Sequence, residues 1–141
     1  KFFPDIDNFH FISTNLDDLE GQFDLITLSH SILYIPDLNV LRASINRLLK
    51  DDGTLFIQIP DIYTNPFYSL MGDQTFILTE ASLNNVLGHF GYRVKLVNND
   101  YFLGELLVTA QKDESVDLSS YKEDNLFEDN IETINRVKEE L

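Results

Sequence analysis

Residues 23–59 read FDLITLSHSILYIPDLNVLRASINRLLKDDGTLFIQI, and the fold follows from how this stretch divides. Phe23, Leu25, Ile26 and Leu28 form a short apolar run with β-branched content that gives way to Ser29, His30 and Ser31. This predicts a buried strand opening into a polar loop. Pro36 and Asp37 start a helix in which Leu38, Leu41, Ile45, Leu48 and Leu49 recur at three- and four-residue spacings as one apolar stripe. Asp51, Asp52 and Gly53 end it, and Gly53 suits the left-handed position after a helix C-terminus. Leu55, Phe56, Ile57 and Ile59 then make a nearly continuous apolar run, as in a strand covered on both faces. Strand, helix and strand in this order form one right-handed βαβ unit with a parallel sheet.

On the C-terminal side, residues 60–66 are a loop with two prolines and residues 67–76 are aromatic-rich without a clean period. Thr79 is a good helix N-cap; Leu83, Val86, Leu87 and Phe90 form the buried stripe of a helix that Gly91 closes. Tyr92, Val94, Leu96 and Val97 predict a strand, residues 98–100 a turn, and residues 103–110 a second strand, most simply an antiparallel hairpin. On the N-terminal side, Phe9, Phe11 and Ile12 suggest a short strand and residues 13–20 a polar loop. Residues 113–128 are acidic and irregular, whereas Ile131, Ile134, Val137 and Leu141 fall on one face of a final amphipathic helix. The expected organisation is one α/β unit over 1–112, then an acidic linker and helix over 113–141.

At 141 residues and 43% apolar content the chain has enough for one folded core. No apolar run approaches the roughly 20 residues of a membrane helix and no leader pattern is visible, which points to the cytoplasm. With no cysteine there is no thiolate site and no disulfide. A formal charge of −14 argues against nucleic acid and anionic membranes as partners. The histidines at 10, 30 and 89 are too far apart to suggest a metal site by spacing, and no metal is expected.

The order of FD at 23–24, an apolar strand, SHSILYIPD at 29–37, an amphipathic helix and LLKDDGTLFIQIPD at 48–61 resembles the second half of class I S-adenosylmethionine-dependent methyltransferases. The resemblance covers roughly residues 9–111. It implies a partial Rossmann-like α/β sheet, parallel with an antiparallel C-terminal hairpin and helices on both faces, the last strand inserted beside the strand at 55–59. Thr54 stands where the family's turn usually has a second glycine. The glycine-rich turn that holds the methionine end of the cofactor has no counterpart, since the six glycines form no Gly-x-Gly. The sequence also begins at Lys1. A fragment of the full enzyme, binding its cofactor poorly, is the expectation.

The same resemblance implies a site for S-adenosylmethionine. Asn15 falls where an acidic residue meets the adenine amino group, and its side-chain oxygen can accept that hydrogen. Leu16 is the neighbour that flanks the adenine. Ser29 and His30 are placed beside the methionine portion, with His30 as the candidate base, because an imidazole titrates near neutral pH. Tyr34 occupies the place of a family histidine; it can donate a hydrogen bond to an acceptor but is a poor base. With Tyr63, Phe67 and Tyr68 it would face a small-molecule acceptor, such as a sugar or biosynthetic intermediate. Each residue also has a bland reading: Asn15 in an Asx turn, His30 bonding its loop, the aromatics as a satellite core. A non-catalytic interaction module that dimerises through an open strand edge is the alternative function.

Overall fold

A computed structural model describes residues 15–65, 67–68, 71–113, 115, 135–136 and 139. Strand β1, Phe23–Ser29, is followed by a short 3-10 turn, Ile32–Tyr34, and helix α1, Leu38–Leu48. Strand β2, Leu49–Pro60, precedes helix α2, Glu80–Phe90, and strands β3, Tyr92–Asn98, and β4, Glu105–Lys112, close the order. The sheet runs β1-β2-β4-β3. β1 and β2 are parallel, whereas β4 is antiparallel to both β2 and β3. The parallel unit, the C-terminal hairpin and the insertion of the last strand beside β2 therefore all stand as the sequence predicts.

Helices α1 and α2 form for local reasons. The Asp37 side chain caps α1 by accepting from Asn39 N and Val40 N. For α2 the cap is reciprocal: Ser82 N donates to Thr79 Oγ1 at 3.1 Å and Thr79 N to Ser82 Oγ at 2.7 Å. Gly91 ends α2 with φ +87°. Leu41 and Ile45 of α1 and Leu83, Leu87 and Phe90 of α2 share one core with Leu55, Ile57 and Ile59 of β2. No described helix is long and apolar enough to cross a membrane.

Two expectations fail here. Gly53 does not adopt the left-handed conformation. Leu49 is already extended and begins β2, so α1 ends without a glycine cap. The residues read as a turn form an irregularity inside the strand: Phe23 pairs with Leu49 and Leu25 with Thr54, two steps along β1 against five along β2. Gly53 serves close packing, because a Cβ there would lie 2.8 Å from Leu49 Cδ1. Nor is β1 the buried strand expected: Ile26 and Leu28 pack on the core half-buried, but Phe23 and Leu25 are 39% and 55% exposed. β1 is an edge strand among the described residues, and the face carrying Leu25, Thr27 and Phe56 takes no described helix.

The N-terminal strand predicted at Phe9, Phe11 and Ile12 lies outside the described residues, as do nearly all of 113–141. The polar loop at 13–20 contains a short 3-10 turn, Leu16–Asp18.

Candidate active site

The carboxyl ends of β1 and β2 lie side by side, with Ser29 paired to Gln58. His30 follows directly, and its N–H donates to Gln58 O at 2.8 Å. This turns the chain sharply: His30 has φ +53°, the one non-glycine residue with positive φ among those described. A left-handed residue with a Cβ costs on the order of 1 kcal/mol, and such positions cluster at functional sites.

A polar cluster forms around this corner. Ser29 Oγ donates to Gln58 Oε1 at 3.1 Å, and Gln58 Nε2 donates to Glu105 Oε2 at 3.4 Å. His30 Nε2 lies 3.1 Å from the same carboxylate oxygen. Three strands supply these groups. Glu105 opens β4 opposite Pro60, on the sheet face that carries Gln58. It is placed there by Gly104, whose φ of +79° allows the reversal and whose carbonyl accepts from Asp61 N at 2.8 Å. The cluster thus joins a candidate base to a carboxylate at the end of the sheet where open α/β folds bind ligands.

The acceptor-facing candidates divide. Leu33 O accepts from Thr75 N at 2.9 Å and from Phe76 N at 3.2 Å, which brings the segment after β2 back across the turn at 32–34. Tyr34 Oη accordingly donates to Asp73 Oδ2 at 3.4 Å. Asp61, buried, organises the other loop by accepting Tyr63 N at 3.1 Å through its side chain and Asn65 N at 2.8 Å through its carbonyl. Tyr63, exposed, lines a cavity of about 450 Å³ with Glu80, Asn84, Val94, Val97 and Val108. Those valines lie on the core side of the sheet, opposite the face of Gln58 and Glu105. Phe67 is exposed and Tyr68 half-buried. No described contact joins Tyr63, Phe67 or Tyr68 to His30.

Asn15 and Leu16 stand apart as well. Arg47, in the last turn of α1, donates to Leu16 O at 2.7 Å and Leu19 O at 2.5 Å. This ties the turn to the end of α1 that leads into β2, whereas His30 follows the far end of β1. Asn15 Nδ2 donates to Asp18 Oδ2 at 3.3 Å, which leaves Oδ1 to accept. Leu16 is exposed. Asn15 offers an amide acceptor beside an exposed apolar side chain, which suits a nucleobase, and Ser29 and His30 stand at the strand end; no described contact brings these two groups together. No Gly-x-Gly is present for the cofactor's methionine end. His89 lies in the last turn of α2, and His10 is outside the described residues.

Gln58, Glu105 and Asp73 were not among the candidates read from the sequence. Gln58 is the one polar side chain in LFIQI, and Glu105 the one charge at the head of ELLVTA. Both signals were there, but nothing in the spacing links them to His30.

A family described as a methyltransferase domain matches residues 3–97. A search of curated proteins found no match. Among solved structures, a complex of DhpI with SAH is 19% identical, with 76% of this chain and 56% of that one covered and a TM-score of 0.56. An S-adenosylmethionine-dependent methyltransferase from Clostridium acetobutylicum is 15% identical, with 72% and 64% covered and a TM-score of 0.56. A DhpI-SAM-HEP complex is 16% identical, with 74% and 58% covered and a TM-score of 0.57. The chain spans somewhat over half the length of these structures, and at such identities the likeness is one of fold.

Proposed function

The chain belongs to the methyltransferase domain family, and from that premise we propose that it forms the later half of an S-adenosylmethionine-dependent enzyme that methylates a small molecule. The cofactor would supply an electrophilic methyl group on a sulfonium. This chain's residues would do the rest: Asn15 and Leu16 hold the adenine, Ser29 and His30 line the strand end, and His30 takes the proton that the acceptor sheds. One observation carries the reading, the left-handed His30 at the carboxyl end of β1 with its imidazole against Glu105. A base in that position is worth typically about 10²–10⁴ in rate. Tyr34, held to Asp73, is the acceptor-facing group nearest in the chain; Tyr63, Phe67 and Tyr68 belong to the loop beyond β2.

Titration of the labelled chain with S-adenosylhomocysteine tests this. Weak binding is expected, because the chain has no glycine-rich turn, with amide shifts at Asn15, Leu16, Ser29 and His30. Unmoved resonances at those four positions under millimolar ligand would overturn the reading. In an active full-length form, replacing His30 by Asn should lower turnover by about 100-fold or more; an unchanged rate would remove His30 from the chemistry.

A second reading, association through the sheet edge, is favoured by exposed Phe23 and Leu25 on β1. It predicts a homodimer by sedimentation at high concentration, and a monomer there would discard it.

A further inference from the structure

We propose that Glu105 is a positioning residue for His30: it takes the Nε2–H of the imidazole and leaves Nδ1 as the nitrogen that handles protons in the site. The inference rests on the reading of His30 as the base and fixes which atom performs that role.

An ionised carboxylate only accepts hydrogen bonds, so the 3.1 Å approach of His30 Nε2 to Glu105 Oε2 places a hydrogen on Nε2. A neutral imidazole carries one N–H, and its remaining lone pair is then on Nδ1. The neighbours allow little freedom. Gln58 also donates to Glu105 Oε2, at 3.4 Å, and its own oxygen accepts from Ser29 Oγ at 3.1 Å. Flipping the Gln58 amide would set its oxygen against the Glu105 carboxylate, acceptor to acceptor. The main chain of Gln58 holds His30 a second time, through the 2.8 Å bond from His30 N. Exposure has a direction as well: the Glu105 side chain is 15% exposed and that of His30 39%, so the carboxylate sits behind the ring.

The proton balance is simple. The acceptor's O–H or N–H proton passes to Nδ1, whose lone pair forms the new N–H bond, while the pair of the broken bond stays on the acceptor. The imidazolium so formed lies against the Glu105 carboxylate, and the pair carries no net charge. The arrangement also accounts for Gln58, the polar residue that interrupts the apolar run of β2: it orients the carboxylate that orients the base.

The test is a long-range proton–nitrogen correlation spectrum of the ¹⁵N-labelled chain at alkaline pH, with His30 assigned by its loss in His30→Asn. The expected wild-type result is an Nε2-protonated ring whose N–H proton is protected enough from water to be seen. Glu105→Ala should lose that protected proton while the amide spectrum keeps its fold, and Glu105→Gln, which retains an accepting oxygen, should keep it. A wild-type His30 protonated on Nδ1, or a protected Nε2–H that survives Glu105→Ala, would overturn the proposal. Should Glu105→Ala fail to fold, the wild-type and Glu105→Gln spectra decide alone: a wild-type ring without the protected Nε2–H overturns it. Failure here leaves methyl transfer standing. Conversely, an intact wild-type hydrogen bond together with normal turnover of the His30→Asn enzyme would refute the base and leave only the pairing.

Discussion

Lys112, the last residue of β4, closes helix α1 from outside, and its replacement by methionine separates two contributions that share one nitrogen. Lys112 Nζ donates to Leu49 O at 2.7 Å, to Asn46 O at 3.2 Å and to Asp51 Oδ1 at 3.0 Å. α1 has no glycine at its end, so its last carbonyls need a partner, and an ammonium suits the negative end of the helix. The Asp51 side chain is 99% exposed and that of Lys112 only 22%. The ion pair should therefore contribute at most a few tenths of a kcal/mol, about what exposed pairs give. The two carbonyl bonds from a charged, half-buried donor should contribute about 1.5–3 kcal/mol. Lys112→Met keeps the apolar stem and is expected to cost about 2 kcal/mol, a fall in Tm on the order of 10 °C. Asp51→Ala should cost less than about 0.5 kcal/mol. Urea unfolding followed by circular dichroism measures both, and molar salt should erase only the Asp51 effect. If Asp51→Ala is as damaging as Lys112→Met, or if Lys112→Met lies within error of wild type, the capping account is wrong.

Thr79→Ala removes half of a buried reciprocal cap and should destabilise by about 1–2 kcal/mol in the same unfolding assay. Gly53→Ala would press a Cβ against Leu49, itself fully buried, and should cost about 1–3 kcal/mol by thermal melting. Tyr92 is buried with no partner for its hydroxyl, and burial, helped by the Asp51 charge, pushes its pKa up to about 12. Tyr92→Phe should be neutral or stabilising by up to about 1 kcal/mol, since an unsatisfied group is removed. The pH dependence has a definite sign. Between the ordinary value of 10.0 and about 12 the unfolded chain releases this proton and the folded chain keeps it, so stability falls as pH rises through that window. Alkaline unfolding curves should show this step in wild type and lack it in Tyr92→Phe.

The helices were legible because their signals are local. Leu38 to Leu48 repeats every three or four residues, and Asp37, Thr79 and Gly91 mark ends within one turn. Strand order was legible through the family pattern, which placed the last strand beside β2. Gly53 was misread for a physical reason. Asp-Asp-Gly favours a helix exit, but Leu49 is drawn into pairing with Phe23, and the extra residues are absorbed inside the ladder. Burial of β1 was overestimated because FDLITLS carries apolar side chains on both faces, whereas only the face of Ile26 and Leu28 meets the described core. At the site, His30 was legible from its place after a strand. Glu105 was not, since it lies 75 positions further along the chain and only the antiparallel return of β4 brings it there.

The return of β4 also bears on how the chain folds as it is made. Of the described strands, the last to be synthesised lies between β2 and β3, not at an edge. A nascent chain ending before Glu105 can pair β1 with β2, yet β3 has no strand beside it, and the apolar face of Ile57 is missing Val108. The sheet can be completed only after Lys112 has left the ribosome, so until then the edge of β2 is open to whatever strand it meets first.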